Sequence, residues 1–226
     1  MGASGLKSGG NVKMLPIAQG DTTVRDFERA WADERGFKKD IEYAIVYDPK
    51  NPNIGVMYEG NYHGVSVRPE ELDKSGWTVT HYHPGNRFGG TLSMQDVRFF
   101  TNSQLGEVRA VTRQGWSYSL KAGPNADRKG FNAWAKRADN VLKKNFARSY
   151  DAAAKRAAEG RTVMKRSPSG KIYYTYKRDA NGNIVKMNSD QAATYARQVS
   201  VGLYDRTLQK NAEKYGFTYT KTKSKK

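Results

Sequence analysis

The sequence predicts a mixed α/β (α+β) fold built on a mixed sheet, followed by a basic helical C-terminal portion. Three observations carry this expectation. Short runs rich in β-branched and aromatic residues alternate with helical periodicities through the first 122 residues. Two longer stretches, at 127–159 and from about Ser189 to Tyr215, have the length and polar–apolar mixture of helices. Charge is also segregated. Residues 1–120 hold 14 Lys/Arg and 14 Asp/Glu, whereas residues 121–226 hold 25 and 8, so the whole formal excess of +17 falls in the second half.

A chain of 226 residues can form one large domain, or a compact domain with a smaller appendage. It contains no cysteine, which excludes disulfides and thiolate–metal sites; any metal must be held by His and carboxylate. That fits an intracellular or virion protein. No apolar run approaches a membrane span, so no membrane partner is expected, and the opening "MGASGLKSGG" lacks the apolar core of a signal peptide. Residues 1–20 read as a flexible, Gly/Ser-rich leader.

The elements follow in order. "TTVRDFERAWADERGF" places Val24, Phe27, Ala30 and Trp31 at helical spacing, with Asp21 or Thr22 as N-cap. "EYAIVYD", the turn "PKNPN" and "IGVMYEG" read as a β-hairpin. "GVSVRPEELDKSG" gives a short strand, then a brief helix with Pro69 at its first position. "WTVTHYHP" is a strand ended by Pro84, and "GNRFGG" is a loop. "TLSMQDVRFFTNSQ" opens a helix capped by Ser93, with Val97 and Phe100 on its buried face. "EVRAVTRQGWSYSLKA" reads as strand, turn, strand, with Trp77, Trp116 and Tyr118 assigned to core or sheet face.

The helix at 127–159 recurs with Phe131, Trp134, Ala138, Val141, Leu142 and Phe146 on its apolar stripe. Strand segments punctuated by the turns "SPSG" and "ANGN" come next, with Tyr173, Tyr174 or Tyr176 expected to pack inward. After the last helix, "GFTYTKTKSKK" reads as a short extended piece and a basic tail, disordered from about residue 220. The expected division is a leader at 1–20, a core at 21–122 and a basic helix–hairpin–helix portion at 123–226.

Two of the three histidines occur in "VTHYHPGNRFGGTLSMQD". On a strand, residues i and i+2 share a face, so His81 and His83 project together while Tyr82 points away. Two imidazoles from one strand end make half a metal site. Asp96, one turn into the next helix, supplies a third protein ligand and leaves a fourth position open. Ser93 is placed to cap that helix and to hydrogen-bond a reacting oxygen. His63, in "GNYHGV", has no partner at ligand spacing and reads as a turn or strand-edge residue.

The order H-x-H-P, loop, S-x-x-D in "HYHPGNRFGGTLSMQD" resembles the signature of the JAB/MPN (JAMM) metalloprotease superfamily. The likeness is to the RadC-type bacterial branch and to JAB-like domains of phage head-morphogenesis (minor capsid) proteins. Members there read as a "THNHP" strand followed by "SPEDI". The hairpin "AIVYDPKNPNIGVMYEG", the element "VRPEEL" and the late "AEKYGFTY" are similar to their context, and the likeness covers residues 37–120. One departure is the loop: twelve residues separate His83 from Asp96, more than the family usually has, which a Gly-rich surface loop tolerates.

The resemblance implies a three-layer sandwich with helices flanking a mixed sheet. It also implies a Zn²⁺ held by His81, His83 and Asp96, an upstream glutamate as general base, and a protein or peptide substrate. By match to the family's element before the His strand, Glu71 is the candidate base, with Glu70 and then Glu59 behind it; each could equally be a surface carboxylate, Glu70 and Glu71 favouring a helix start. Ser93 would then help stabilise a tetrahedral intermediate. A function of another class is also open, a noncatalytic protein binding DNA or RNA through its basic C-terminal half. There "KIYYTYKR" interleaves aromatics with cations, and contact would be salt-sensitive and poorly sequence-selective.

Overall fold

The computed structural model describes residues 5–9, 13–15, 24–32, 41–84 and 91–223. The expected N-cap at Asp21 or Thr22, the loop at 85–90 and the last three residues lie outside them. In chain order the elements are β1 (Leu6–Ser8), β2 (Lys13–Leu15), α1 (Val24–Ala32), β3 (Tyr43–Asp48), β4 (Asn51–Glu59), β5 (Val65–Val67), α2 (Pro69–Leu72) and β6 (Thr78–His83). There follow α3 (Met94–Thr101), β7 (Glu107–Thr112), β8 (Trp116–Ala122), α4 (Arg128–Glu159), β9 (Val163–Arg166), β10 (Ile172–Thr175), α5 (Ser189–Lys214) and β11 (Phe217–Lys223).

Two compact units form, Met1–Asp139 with Thr207–Lys226, and Asn140–Arg206. The division falls inside α4 and α5, rather than at the expected boundary after residue 122. In the first unit a seven-stranded sheet runs β11-β8-β7-β6-β3-β4-β2. Every neighbouring pair is antiparallel except β6 and β7, which run parallel because α3 carries the chain across between them. The sheet is therefore mixed, as the sequence predicts.

The period of two sorts residues to its faces. On one face Tyr43, Ile45, Tyr47 and Tyr82 form a single cluster with Val24, Phe27 and Trp31 of α1. Glu28 of that helix accepts from Thr80 Oγ1 at 2.7 Å and pairs with Arg109 at 3.0 Å. The opposite face is covered by α3 and the first turns of α4, where Phe100 and Phe131 meet Phe217 at ring separations of 6.0 and 4.9 Å. The result is a helix–sheet–helix sandwich of three layers.

Three details differ from expectation. The hairpin turn is shorter than "PKNPN": β4 already begins at Asn51, and a register shift at Tyr47/Asp48 absorbs the extra residues. The segment read as a flexible leader supplies two strands, β1 parallel to β5 and β2 antiparallel to β4. At the other end Thr220 to Lys223 are not a disordered tail but pair with β8 as far as Trp116. Lys221 and Lys223 lie over the Trp116 ring at 4.8 and 5.3 Å, so these cations gain a partner by joining the sheet.

In the second unit the inner parts of α4 and α5 are joined by the β9–β10 hairpin. Buried alanines, Ala153 and Ala157 on α4 and Ala192 and Ala196 on α5, form much of its interior, and Ser149 Oγ donates to Ser200 Oγ at 2.7 Å. Val141, expected on the apolar stripe of α4, is 56% exposed. Tyr173 and Tyr176, expected to pack inward, are 45% and 48% exposed. The two strands pair only with each other; of the three tyrosines Tyr174 is capped, by the Arg156 guanidinium at 4.1 Å. Among the described residues no helix is long and apolar enough to cross a membrane.

Candidate metal centre

Strand β6 presents His81 and His83 on the sheet face that α3 covers. The residues opposite His81 are Ala44 on β3 and Ala110 on β7, small side chains that leave room for imidazoles on a closely packed surface. Pro84 then ends the strand, since it has no N–H to offer a ladder. Both histidines are buried, with their rings edge to face at 4.6 Å and their Nε2 atoms 2.8 Å apart.

Asp96 arrives from the start of α3. Ser93 caps that helix in a capping box: Asp96 N–H donates to Ser93 Oγ at 3.1 Å, and the Asp96 carboxylate accepts from Ser93 N–H at 2.7 Å. Ser93 Oγ–H donates to Asp96 Oδ2 as well, at 2.8 Å. The other oxygen, Oδ1, accepts the backbone N–H of Leu6 at 2.8 Å and lies 3.3 Å from His81 Nε2. Oδ2 lies 3.7 Å from His83 Nε2. The carboxylate is fully buried, oriented from both sides, and set at the positive end of a helix.

Electrostatics bind the three together. Burial opposes charge on His81, but the Asp96 carboxylate, its hydrogen bond and the charge of Glu42 outweigh it and raise the pKa. His83 is pushed down to about 4 by burial and by His81, against the pull of Asp96. Burial alone would raise Asp96; the charge and hydrogen bond of His81, then His83 and the Leu6 amide, hold it well below the usual carboxylate range. In the metal-free cluster His81 therefore takes a proton more readily than a free imidazole and His83 less readily. Two imidazole nitrogens 2.8 Å apart require a proton or a cation between them.

A metal ion fits this donor set. Tetrahedral zinc with bonds of about 2.0–2.1 Å separates its ligand atoms by roughly 3.3 Å. The observed spacings of 2.8, 3.3 and 3.7 Å bracket that value. His81, His83 and Asp96 are the group of three that could hold a metal ion among the described residues.

The structure brings His81, His83, Asp96 and Ser93 together, and none of the three expected bases is among the close-set ligand atoms of that cluster. Glu71 sits on α2 against Lys74 at 3.4 Å, and its charge acts on Tyr58. Glu70 is exposed and paired with Arg68 at 3.5 Å. Glu59 is in register with Tyr43, hence on the face opposite the histidines. His63 is an exposed turn residue whose N–H donates to Asn61 Oδ1.

A buried carboxylate that the sequence reading did not single out is Glu42. It is fully buried, two residues before Ala44 and on the same face, and it continues the β3–β4 ladder through Gly60 and Asn61. Its charge acts at His81. The available signal was a glutamate on the buried side of the alternation Glu42, Ala44, Val46. No protein-family model matches the chain, and no curated protein and no solved structure matches it.

Proposed function

We propose that this chain is a zinc-dependent hydrolase of peptide or isopeptide bonds of the JAB/MPN type, acting on a protein or peptide in a phage-associated setting, within the host cytoplasm or the virion. The observation that carries the reading is the buried convergence of His81, His83 and Asp96 at the end of one strand and the start of one helix. The H-x-H-P and S-x-x-D order supports it.

His81, His83 and Asp96 would hold the zinc ion, which would supply Lewis-acid activation when bound. The chain's own residues do the rest. Ser93 and the Leu6 N–H hold the Asp96 carboxylate in one orientation, because each of its oxygens already has a donor. Ser93 reaches a reacting oxygen only by giving up its bond to Asp96, so its first role is to position the ligand. Glu42, buried beside His81, takes the base's role in place of Glu71: its carboxylate accepts the proton of the attacking water and returns it to the leaving amine.

Metal analysis of protein purified without chelator tests the reading. About one zinc per chain is expected in the parent and none in His81→Ala/His83→Ala. Glu42→Gln should keep the metal and lose about a hundredfold or more in peptide-bond cleavage, while Glu71→Gln keeps both. No metal in the parent, even after zinc is offered at neutral pH, would sink the proposal.

A further inference from the structure

The unit at 140–206 holds 14 Lys/Arg against 5 Asp/Glu. It also contains eight of the nine large hydrophobic side chains exposed among the described residues, and five of these, Val163, Met164, Ile172, Tyr173 and Tyr176, lie on or beside the β9–β10 hairpin. Exposed apolar side chains gathered on one small element mark a contact surface.

Register defines the surface. Tyr173 lies opposite Lys165, and Thr175 opposite Val163, on one face; Ile172 lies opposite Arg166, and Tyr174 opposite Met164, on the other. Each face therefore mixes a cation with apolar or aromatic groups. Among the described residues Lys165, Arg166, Lys171 and Lys177 have no acidic partner, whereas Arg161 nearby is neutralised by Glu159 at 2.6 Å. An element that lies on lipid would put its apolar side chains on one side and its cations on the other, and this ribbon does neither. Open tyrosine rings alternating with unpaired cations match a flexible polyanion that offers planar bases between phosphates.

We infer that the β9–β10 hairpin binds single-stranded nucleic acid, with Tyr173 and Tyr176 stacking on bases and Lys165, Arg166, Lys171 and Lys177 contacting phosphates. None of these residues belongs to the metal centre, and the inference does not rest on it. The selectivity is for unpaired bases rather than for sequence, because every base has a face to stack and the hairpin's exposed groups carry no paired donor–acceptor code.

The test is fluorescence anisotropy of a labelled oligothymidylate titrated with the full-length chain over a range of salt. The single strand should bind more tightly than a duplex of equal length, with affinity falling as salt rises. Tyr173→Ala should weaken binding on the order of tenfold at unchanged salt slope, and Tyr173→Phe, which keeps the ring, should restore it. Lys165→Ala/Lys171→Ala should flatten the log–log slope by about 1.4, from roughly 0.7 per phosphate contact on a single strand. Unchanged far-ultraviolet circular dichroism and zinc content show that these exposed substitutions leave the fold alone. Hairpin variants that bind like the parent overturn the inference. So does a parent that ignores the oligonucleotide but binds phosphatidylserine vesicles, or that prefers the duplex with Tyr173→Ala silent.

Discussion

His83 is an imidazole kept neutral by its surroundings, and that has a consequence for stability. Its pKa is about 4 in the folded chain against an ordinary 6.5. A group depressed in this way contributes stability that is fully present above 6.5 and lost as pH falls toward 4, because the unfolded chain takes up the proton first. Across that interval the loss for a metal-free chain is about 3 kcal/mol. Asp96, also depressed, adds to the loss in the same direction at lower pH. His81 works oppositely: its raised pKa gives stability below 6.5 that disappears as pH rises through the folded value. Urea midpoints of chelator-treated protein between pH 7 and 4 should therefore fall, and His83→Gln should flatten the fall. If the variant and parent lines are parallel, His83 is not held neutral. Metal binding needs both imidazoles unprotonated, so added zinc should raise the midpoint more at pH 7 than at pH 5.

At the level of elements, the centre is made from three pieces: a strand end, a helix start and the backbone of β1. A Cβ on Gly5 would stand 2.8 Å from both Asp96 Oδ1 and Ser93 Oγ, so this glycine is what allows the N-terminal strand to reach the ligand. Gly5→Ala should push β1 away from α3 and cost about 1–3 kcal/mol in the metal-free chain. It should also weaken zinc binding by on the order of tenfold, the lower end of what loss of a ligand's supporting hydrogen bond does. A chelator competition that gives equal zinc affinities would show that the Leu6 amide does not orient Asp96. These pieces were unequally legible in the sequence. His81, His83, Ser93 and Asp96 fall within sixteen residues, and each carries a side-chain signature set by a period of two or by a cap. Glu42 meets them only through the β3–β6 register, and α2, closer in sequence, offered glutamates that looked equally suitable. Leu6 contributes a backbone N–H ninety residues away in sequence from Asp96, which no side-chain pattern records. The strand β11 was hidden for a different reason. Its lysines read as a solvated tail until the sheet edge placed Trp116 and Tyr118 beneath Lys221.

The two units differ in how their interiors are made, and their stabilities should differ with them. The sheet unit buries Trp31, Tyr43, Tyr58, Tyr82, Phe100 and Phe131 almost completely. The unit at 140–206 buries chiefly alanines together with Leu142 and Val201. A buried alanine removes far less apolar surface from water than an aromatic ring, and stabilisation scales at about 25 cal/mol per Å². The smaller unit also crowds 14 cations among 5 anions, so self-repulsion opposes its compact state. Its opening free energy should lie well below that of the sheet, and native-state hydrogen exchange should separate the two. Amides of α4 beyond residue 140 and of α5 before residue 206 are expected to exchange at lower urea than those of β3, β6 and β7. Ala196→Asp puts an unpaired carboxylate into the smaller interior and should abolish that protection while leaving zinc content at the parent level. Raising salt should slow exchange in 140–206 and leave the sheet unchanged, because screening relieves repulsion only where like charge is concentrated. A single cooperative transition shared by all these amides would mean that α4 and α5, which have an end in each unit, couple the two interiors into one.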